Sequence, residues 1–298
     1  MKTKLFILIA AIVALTMAGC AASGEEGLSP PADDGIAGGE TVPEGGDGDG
    51  SGDSDGSGDS DGNGNGGDGN DNGNESGGDE PEAELQVFKK YVELTSDGVN
   101  IRRGAGTGYT ALGVAEKNTR YAYLGETDGW HKIYYKNSTA YISKKYTKIV
   151  EMEASDDETV ERVIEEGLKL LGTKYVYGAV RYHDGRGNKL KNFTTSAFDC
   201  SSLMQYMFYM GADGHLLDVT TRTQVVQGKT VSRANLKRGD LMFFTNSTRY
   251  NKTGVERIGH VALYLGENLI LHTASDYAKI EEISAARWKY YIQSQRMI

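Results

Sequence analysis

Phe198-Asp199-Cys200-Ser201-Ser202-Leu203 is the stretch on which the reading of this 298-residue chain turns. From Cys200 onward, Leu203, Tyr206, Met207 and Met210 recur at helical spacing and Gly211 follows as a stop, so the spacing predicts a helix over 200–210. Asp199 stands where an N-cap belongs. Cys200 then falls in the first turn, where unsatisfied N–H groups and the positive end of the helix dipole favour thiolate over thiol, although the Asp199 charge partly opposes the effect. Thiolate is the nucleophilic form, so the position has a chemical point.

The chain has two cysteines, Cys20 and Cys200. Lys2 and Lys4 precede an apolar run over 5–15, too short for a comfortable membrane span, and small residues follow. The run ends Leu15-Thr16-Met17-Ala18-Gly19-Cys20, which resembles the lipobox of bacterial lipoproteins, with Met17 where leucine is usual. That resemblance implies a signal segment over 1–20, lipid on Cys20, and a protein exported and anchored to the outer face of the cytoplasmic membrane. Cys200 would then be the sole thiol of the mature chain, which is either an intermolecular link or a reactive group.

The net charge of −10 divides unevenly. Residues 21–87 hold nineteen acidic side chains and no Lys or Arg, whereas residues 88–298 hold thirty basic and twenty-three acidic ones, a net of +7. The segment 21–86 is built from Gly, Asp, Ser and Asn with few apolar residues; its composition predicts a disordered linker with a reach of roughly 45 Å. Within it Asp59, Asp61, Asn63 and Gly64 imitate the start of an EF-hand loop, but Asn70 stands where the bidentate Glu belongs, so no calcium site is expected. The mildly basic remainder suits anionic wall polymers, while the absence of a dense positive cluster argues against nucleic acid as a partner.

Residues 87–150 read as short strands over 91–94, 99–101, 120–124, 131–135 and 140–143, punctuated by glycines, which predicts a small all-β barrel with Trp130 in its core. Residues 155–298 begin with a capping-box pattern, Ser155-Asp156-Asp157-Glu158. Val160, Val163, Ile164, Leu168 and Leu171 then recur at helical spacing up to Gly172. Strands are expected over 241–245, 260–265, 269–273 and 290–296. Helices followed by consecutive strands give an α+β class with an antiparallel sheet.

A nucleophile needs a base, and there are five histidines. His260 opens one expected strand and His272 closes the next, with Gly266-Glu267-Asn268 as the turn between them. A three-residue loop centred on Glu267 pairs 262 with 272 and puts both rings on one face as diagonal neighbours; a one-residue slip puts them on opposite faces. In the favourable register one imidazole accepts the thiol proton and the other orients it. His131, His183 and His215 are expected at the surface. One cysteine with scattered histidines makes no zinc site, and no metal or cofactor is called for.

Two family resemblances follow. Gly98-Val99-Asn100-Ile101-Arg102-Arg103-Gly104, Thr107-Gly108-Tyr109 and Gly129-Trp130-His131-Lys132-Ile133 resemble a bacterial SH3-type domain. Five motifs of the last domain resemble the NlpC/P60 family: 172–178 (Gly-Thr-Lys-Tyr-Val-Tyr-Gly), 198–202, 236–244 (Leu-Lys-Arg-Gly-Asp-Leu-Met-Phe-Phe), 259–266 (Gly-His-Val-Ala-Leu-Tyr-Leu-Gly) and 272–274 (His-Thr-Ala). The resemblance implies a papain-like fold and a cysteine peptidase that cleaves peptidoglycan stem peptides. With an SH3-type domain in front, it points to the γ-D-glutamyl-diamino acid endopeptidases.

Carried over residue by residue, the resemblance implies Cys200 as nucleophile, His260 as general base, His272 as the orienting residue and Tyr175 as a helper of the oxyanion. It places Asp199 and Ser201 at the pocket for the stem-peptide N-terminus. Three departures stand out: Ser202 replaces the usual glycine, a long loop over 179–197 carries Arg181, Arg186, Lys189 and Lys191, and a second extra stretch spans 246–257. The expected protein is a monomeric cell-wall hydrolase. A cysteine amidase or acyltransferase on the same scaffold, and a non-catalytic wall-binding lipoprotein, remain as alternatives.

Overall fold

The computed structural model describes residues 86–298. The signal segment, Cys20, the linker up to residue 85 and the run beginning at Asp59 lie outside the described residues.

Eight strands build the first region: β1 (Phe88–Leu94), β2 (Val99–Arg102), β3 (Ala111–Ala115), β4 (Arg120–Ala122), β5 (Gly125–Thr127), β6 (Trp130–Tyr135), β7 (Ser138–Ser143) and β8 (Thr147–Glu153). They form two sheets, ordered β4-β1-β8 and β3-β2-β7-β6-β5. Their inward side chains, among them Tyr91, Leu94, Ile101, Ile133 and Ile142, are buried. Trp130 departs from expectation. It is only half-buried, at the start of β6, and lines a surface cavity of about 490 Å3 with Asp97, Arg102, Lys145 and Tyr146. The alternation of the strand explains this, because His131, Ile133 and Tyr135 take the inward positions.

The second region runs α1 (Glu158–Lys169), β9 (Lys174–Tyr175), β10 (Ala197–Phe198), α2 (Cys200–Gly211), α3 (Thr221–Gln224), β11 (Lys229–Val231), β12 (Leu241–Phe244), β13 (His260–Gly266), β14 (Leu269–Ala274), β15 (Tyr277–Glu282), α4 (Ala285–Lys289) and β16 (Tyr291–Arg296). One sheet carries the strands in the order β10-β9-β15-β14-β13-β12-β16-β11. Its pairs are antiparallel except the two-residue pair β10–β9, which is parallel. The α+β class stands, with sheet outweighing helix; β15 and β11 were not foreseen from the sequence.

Two local expectations change. The N-cap of α1 is Asp157, whose side chain accepts from Thr159 N at 2.7 Å, while Ser155 serves the preceding loop and accepts from Asp157 N at 3.2 Å. Gly211 is not a stop but part of α2; a Cβ there would come within 2.4 Å of the Val163 backbone. The missing side chain lets α1 and α2 cross at backbone contact, and the helix ends at Ala212 instead.

The seam between the regions is well bonded. The β6–β7 turn donates from Lys136 N to Leu171 O (2.8 Å) and from Asn137 N to Lys169 O (2.7 Å), satisfying carbonyls left over at the end of α1. Arg238 donates to Tyr91 OH (2.8 Å), to Glu161 and to Leu265 O (2.9 Å). Gly172 holds φ at +82°, and a Cβ there would strike the Tyr135 ring. One apolar core runs through both regions.

Candidate active site

The site grows from the start of α2. Asp199 Oδ1 accepts from Ser202 N at 2.7 Å, and Ser202 Oγ accepts from Asp199 N at 2.9 Å. Ser202 thus closes a reciprocal capping box that glycine could not make. The box fixes the first turn, and with it Cys200, which is buried at the head of the helix.

Helix α2 packs on β13 and β14. Their register pairs Leu263 with Leu271 and Tyr264 with Ile270, then shifts so that Gly266 pairs with Leu269. The connection is a two-residue turn, Glu267-Asn268, with φ of 50° and 63°, rather than the three-residue loop expected. The bulge before it supplies the extra residue, so the register beyond the turn is the one that loop would have produced. His260 and His272 therefore share a face. His260 Nε2 and His272 Nδ1 lie 2.9 Å apart, with the rings at 80° to each other.

Both rings are buried, and burial is the main reason each holds its proton less readily than a free imidazole. For His260 the neighbouring His272 and Arg287 push the same way and Glu281 opposes them. His272 Nε2 lies 3.0 Å from Glu281 Oε1, close but oblique. Glu281 was not singled out from the sequence. Its only signal there was the alternation of Ala278, Ile280 and the polar residues between them, which marks β15.

A cavity of about 490 Å3 opens beside Cys200. Its lining includes Asp199, Ser201, Val219, Arg222 and Gly259, the residue before His260. Tyr177 and Gly178 of the 172–178 motif line it too, the long loop contributes Arg181 and Asp184, and the second extra stretch contributes Arg249, so both insertions flank the cleft. Arg181 reaches in. It donates to Val219 O, to Asp199 Oδ2 at 3.2 Å and to Ser201 Oγ at 3.4 Å. The two residues expected at a subsite for an amino terminus are thus covered by a guanidinium. Arg186, Lys189 and Lys191 stay exposed.

Tyr175 lies on β9 beside Phe198, with its N–H bonded to Asp276 O at 2.9 Å; the nearby cavity wall is Tyr177 and Gly178. His131 and His183 are buried rather than at the surface, and His215 is half-buried. None of the three lines this cavity, and no described residue of the first region does. Another cavity, of about 530 Å3, lies at the seam under 236–240, away from the histidine pair.

Residues 172–297 match the family described as NlpC/P60 family, and residues 97–148 match the bacterial SH3 domain. Gamma-DL-glutamyl hydrolase of Bacillus subtilis (strain 168) is 31% identical over 138 residues, covering 46% of this chain and 29% of that protein. Murein DD-endopeptidase MepS/Murein LD-carboxypeptidase of Escherichia coli (strain K12) is 30% identical over 151 residues, covering 49% of this chain and 72% of that one. A solved structure from Staphylococcus aureus subsp. aureus Mu50, described as similar to lipoprotein, NLP/P60 family, is 31% identical with a TM-score of 0.38, covering 48% of this chain and 43% of that one. The chain spans less than a third of the first curated relatives it matches.

Proposed function

We propose that this chain, which belongs to the NlpC/P60 family, is a cell-wall cysteine endopeptidase cutting peptidoglycan stem peptides at the γ-D-glutamyl-diamino acid bond. The observation that carries the reading is a cysteine at the first turn of α2, in a cleft bordered by the start of β13, whose histidine is held by a second histidine at 2.9 Å. His260 spends Nε2 on His272, so Nδ1 is the nitrogen that remains for the thiol.

In this reading the Cys200 thiolate attacks the scissile carbonyl, and the tetrahedral oxyanion meets the Cys200 N–H and the Tyr175 hydroxyl. His260 gives its proton to the leaving amine, and water then splits the thioester. One oxyanion donor is worth on the order of a hundredfold in rate. Asp199, Ser201 and Arg181 form the specificity end of the cleft, where the guanidinium suits a stem-peptide carboxylate. The two relatives named above act, by their names, on different bonds, one gamma-DL-glutamyl, the other DD and LD; the resemblance of an SH3-type region followed by this domain to γ-D-glutamyl-diamino acid endopeptidases favours the former. We place the protein outside the cytoplasmic membrane, lipid-anchored through Cys20 and acting as a monomer at the wall, with residues 21–86 as tether, 87–150 as the SH3-like domain and 155–298 as the peptidase.

The test is digestion of defined muropeptides followed by mass analysis. New amino termini on the diamino acid are expected from the wild type, and none from Cys200→Ala. Cleavage by the alanine variant sinks the reading, and a different new bond moves it to an amidase or another endopeptidase.

A further inference from the structure

The line of contacts through His260 and His272 continues onto β15 and α4. His272 Nε2 meets Glu281 Oε1 at 3.0 Å, and the same oxygen accepts from Arg287 Nη2 at 2.6 Å. Lys279, which pairs with His272 across the β14–β15 ladder, stands 3.7 Å from Glu281 Oε2 and is itself 3.4 Å from Asp276. Facing the two rings are therefore Glu281 and Lys279 from β15 and Arg287 from α4, with the Phe244 ring of β12 against His260 and helix α2 packed on both strands.

An ionised carboxylate only accepts hydrogen bonds. Burial alone would raise the Glu281 carboxyl, but the His272 contact and the charges of Arg287 and Lys279 hold it well below the usual range. With an anionic oxygen 3.0 Å from Nε2, His272 is favoured to carry its proton there and to offer Nδ1 as a lone pair. That lone pair takes the proton on His260 Nε2, which leaves His260 Nδ1 as a lone pair. Without the carboxylate, the reverse order of protons is equally available, and it would present N–H rather than a base towards the thiol.

We propose that Glu281 is a positioning residue that, through His272, sets the order of protons along the pair so that the nitrogen of His260 turned to Cys200 is an acceptor. The proposal rests on the hydrolase reading of Cys200 and His260. It gives Glu281 a role that no sequence motif marks. Arg287 has a part in it, because its donation demands an oxygen, not an amide nitrogen, at the Oε1 position.

Two measurements test it. The first needs no variant: with five histidines in the chain, ring 15N shifts after histidine labelling resolve each tautomer. Nε2-protonated His272 and His260 are expected above pH 7; an Nδ1-protonated His272 overturns the proposal. The second is the pH profile of iodoacetamide alkylation at Cys200. Glu281→Gln keeps an oxygen pinned by Arg287 and should alkylate within about threefold of wild type. Glu281→Leu should alkylate on the order of a hundredfold more slowly near pH 6, the upper end of what removing an outer-shell partner costs at metal-bound histidines. Its kcat should fall in step while KM moves less than about twofold. A folded Glu281→Leu with the wild-type alkylation profile overturns this proposal and leaves the hydrolase reading intact. A wild-type thiol that titrates as an ordinary one, near pH 8.5, overturns both.

Discussion

The two walls of the cleft are made differently. One side is the β13–β14 hairpin, which meets the cavity through Gly259 and behind which both histidines are buried, their positions dictated by the ladder and a bulge. The other is the start of α2 together with the loops over 179–197 and 246–257, where Arg181 bonds Asp199 and Ser201 while Arg249, tied to Glu256, lines the same cavity. The sheet wall suits proton chemistry, because a pleat holds two rings at hydrogen-bond distance with no freedom to part. The loop wall suits selectivity, because insertions alter it without disturbing the ladder.

Breaking the sheet wall should cost the most. His260→Ala is expected to lower kcat by a thousandfold or more, with little change in KM, and His272→Ala by on the order of a hundredfold; steady-state kinetics on one muropeptide separate the two. Equal, small losses would mean that the pair is structural.

The loop wall should answer in KM. Arg181→Met is expected to lower kcat/KM by about tenfold on stem peptides with a free α-carboxylate on the D-glutamate, and by less on the amidated form. A parallel loss on both substrates would assign Arg181 to holding Asp199 alone, a buried carboxylate that the variant leaves without its partner.

Acid should weaken the fold through its buried histidines, two of which stand in the sheet wall. His131, His183, His260 and His272 are buried, with burial lowering each below the ordinary imidazole value. Below about pH 6.5 the unfolded chain therefore binds protons that the folded one refuses. Stability is fully present above that pH and falls as the pH drops towards the folded values. Thermal melts from pH 7.5 to 5 should show a falling Tm, shallower in His272→Gln; a flat profile refutes this. The smallest effect is expected at the helix start. Ser202→Gly removes half of the capping box and should cost about 1 kcal/mol in a denaturant melt while cleavage continues.

Legibility followed the range of the interaction. Asp199 as N-cap and Cys200 at the first turn could be read from sequence, because capping acts across three residues; the shared face of His260 and His272 was one of two registers the pleat allowed, and the bulge before the turn decided it. The cap of α1 was misread by two residues, since Ser155, Asp156 and Asp157 all offer an acceptor and only the backbone decides which precedes the helix. Gly211 looked like a stop because a glycine that ends a helix and one that admits a neighbour are the same letter.

By itself, the sequence determined the class, the two regions and the place of Cys200 on its helix, and it narrowed the pairing of the two histidines to one of two registers. Each of these rests on hydrogen bonds between residues close along the chain or on a repeating pattern of apolar positions. Tertiary structure alone decided that Arg181 folds over Asp199, that Glu281 reaches His272, and that the β6–β7 turn caps α1. Those contacts join segments whose approach depends on how loops close and sheets twist, and residue order carries no local signature of that.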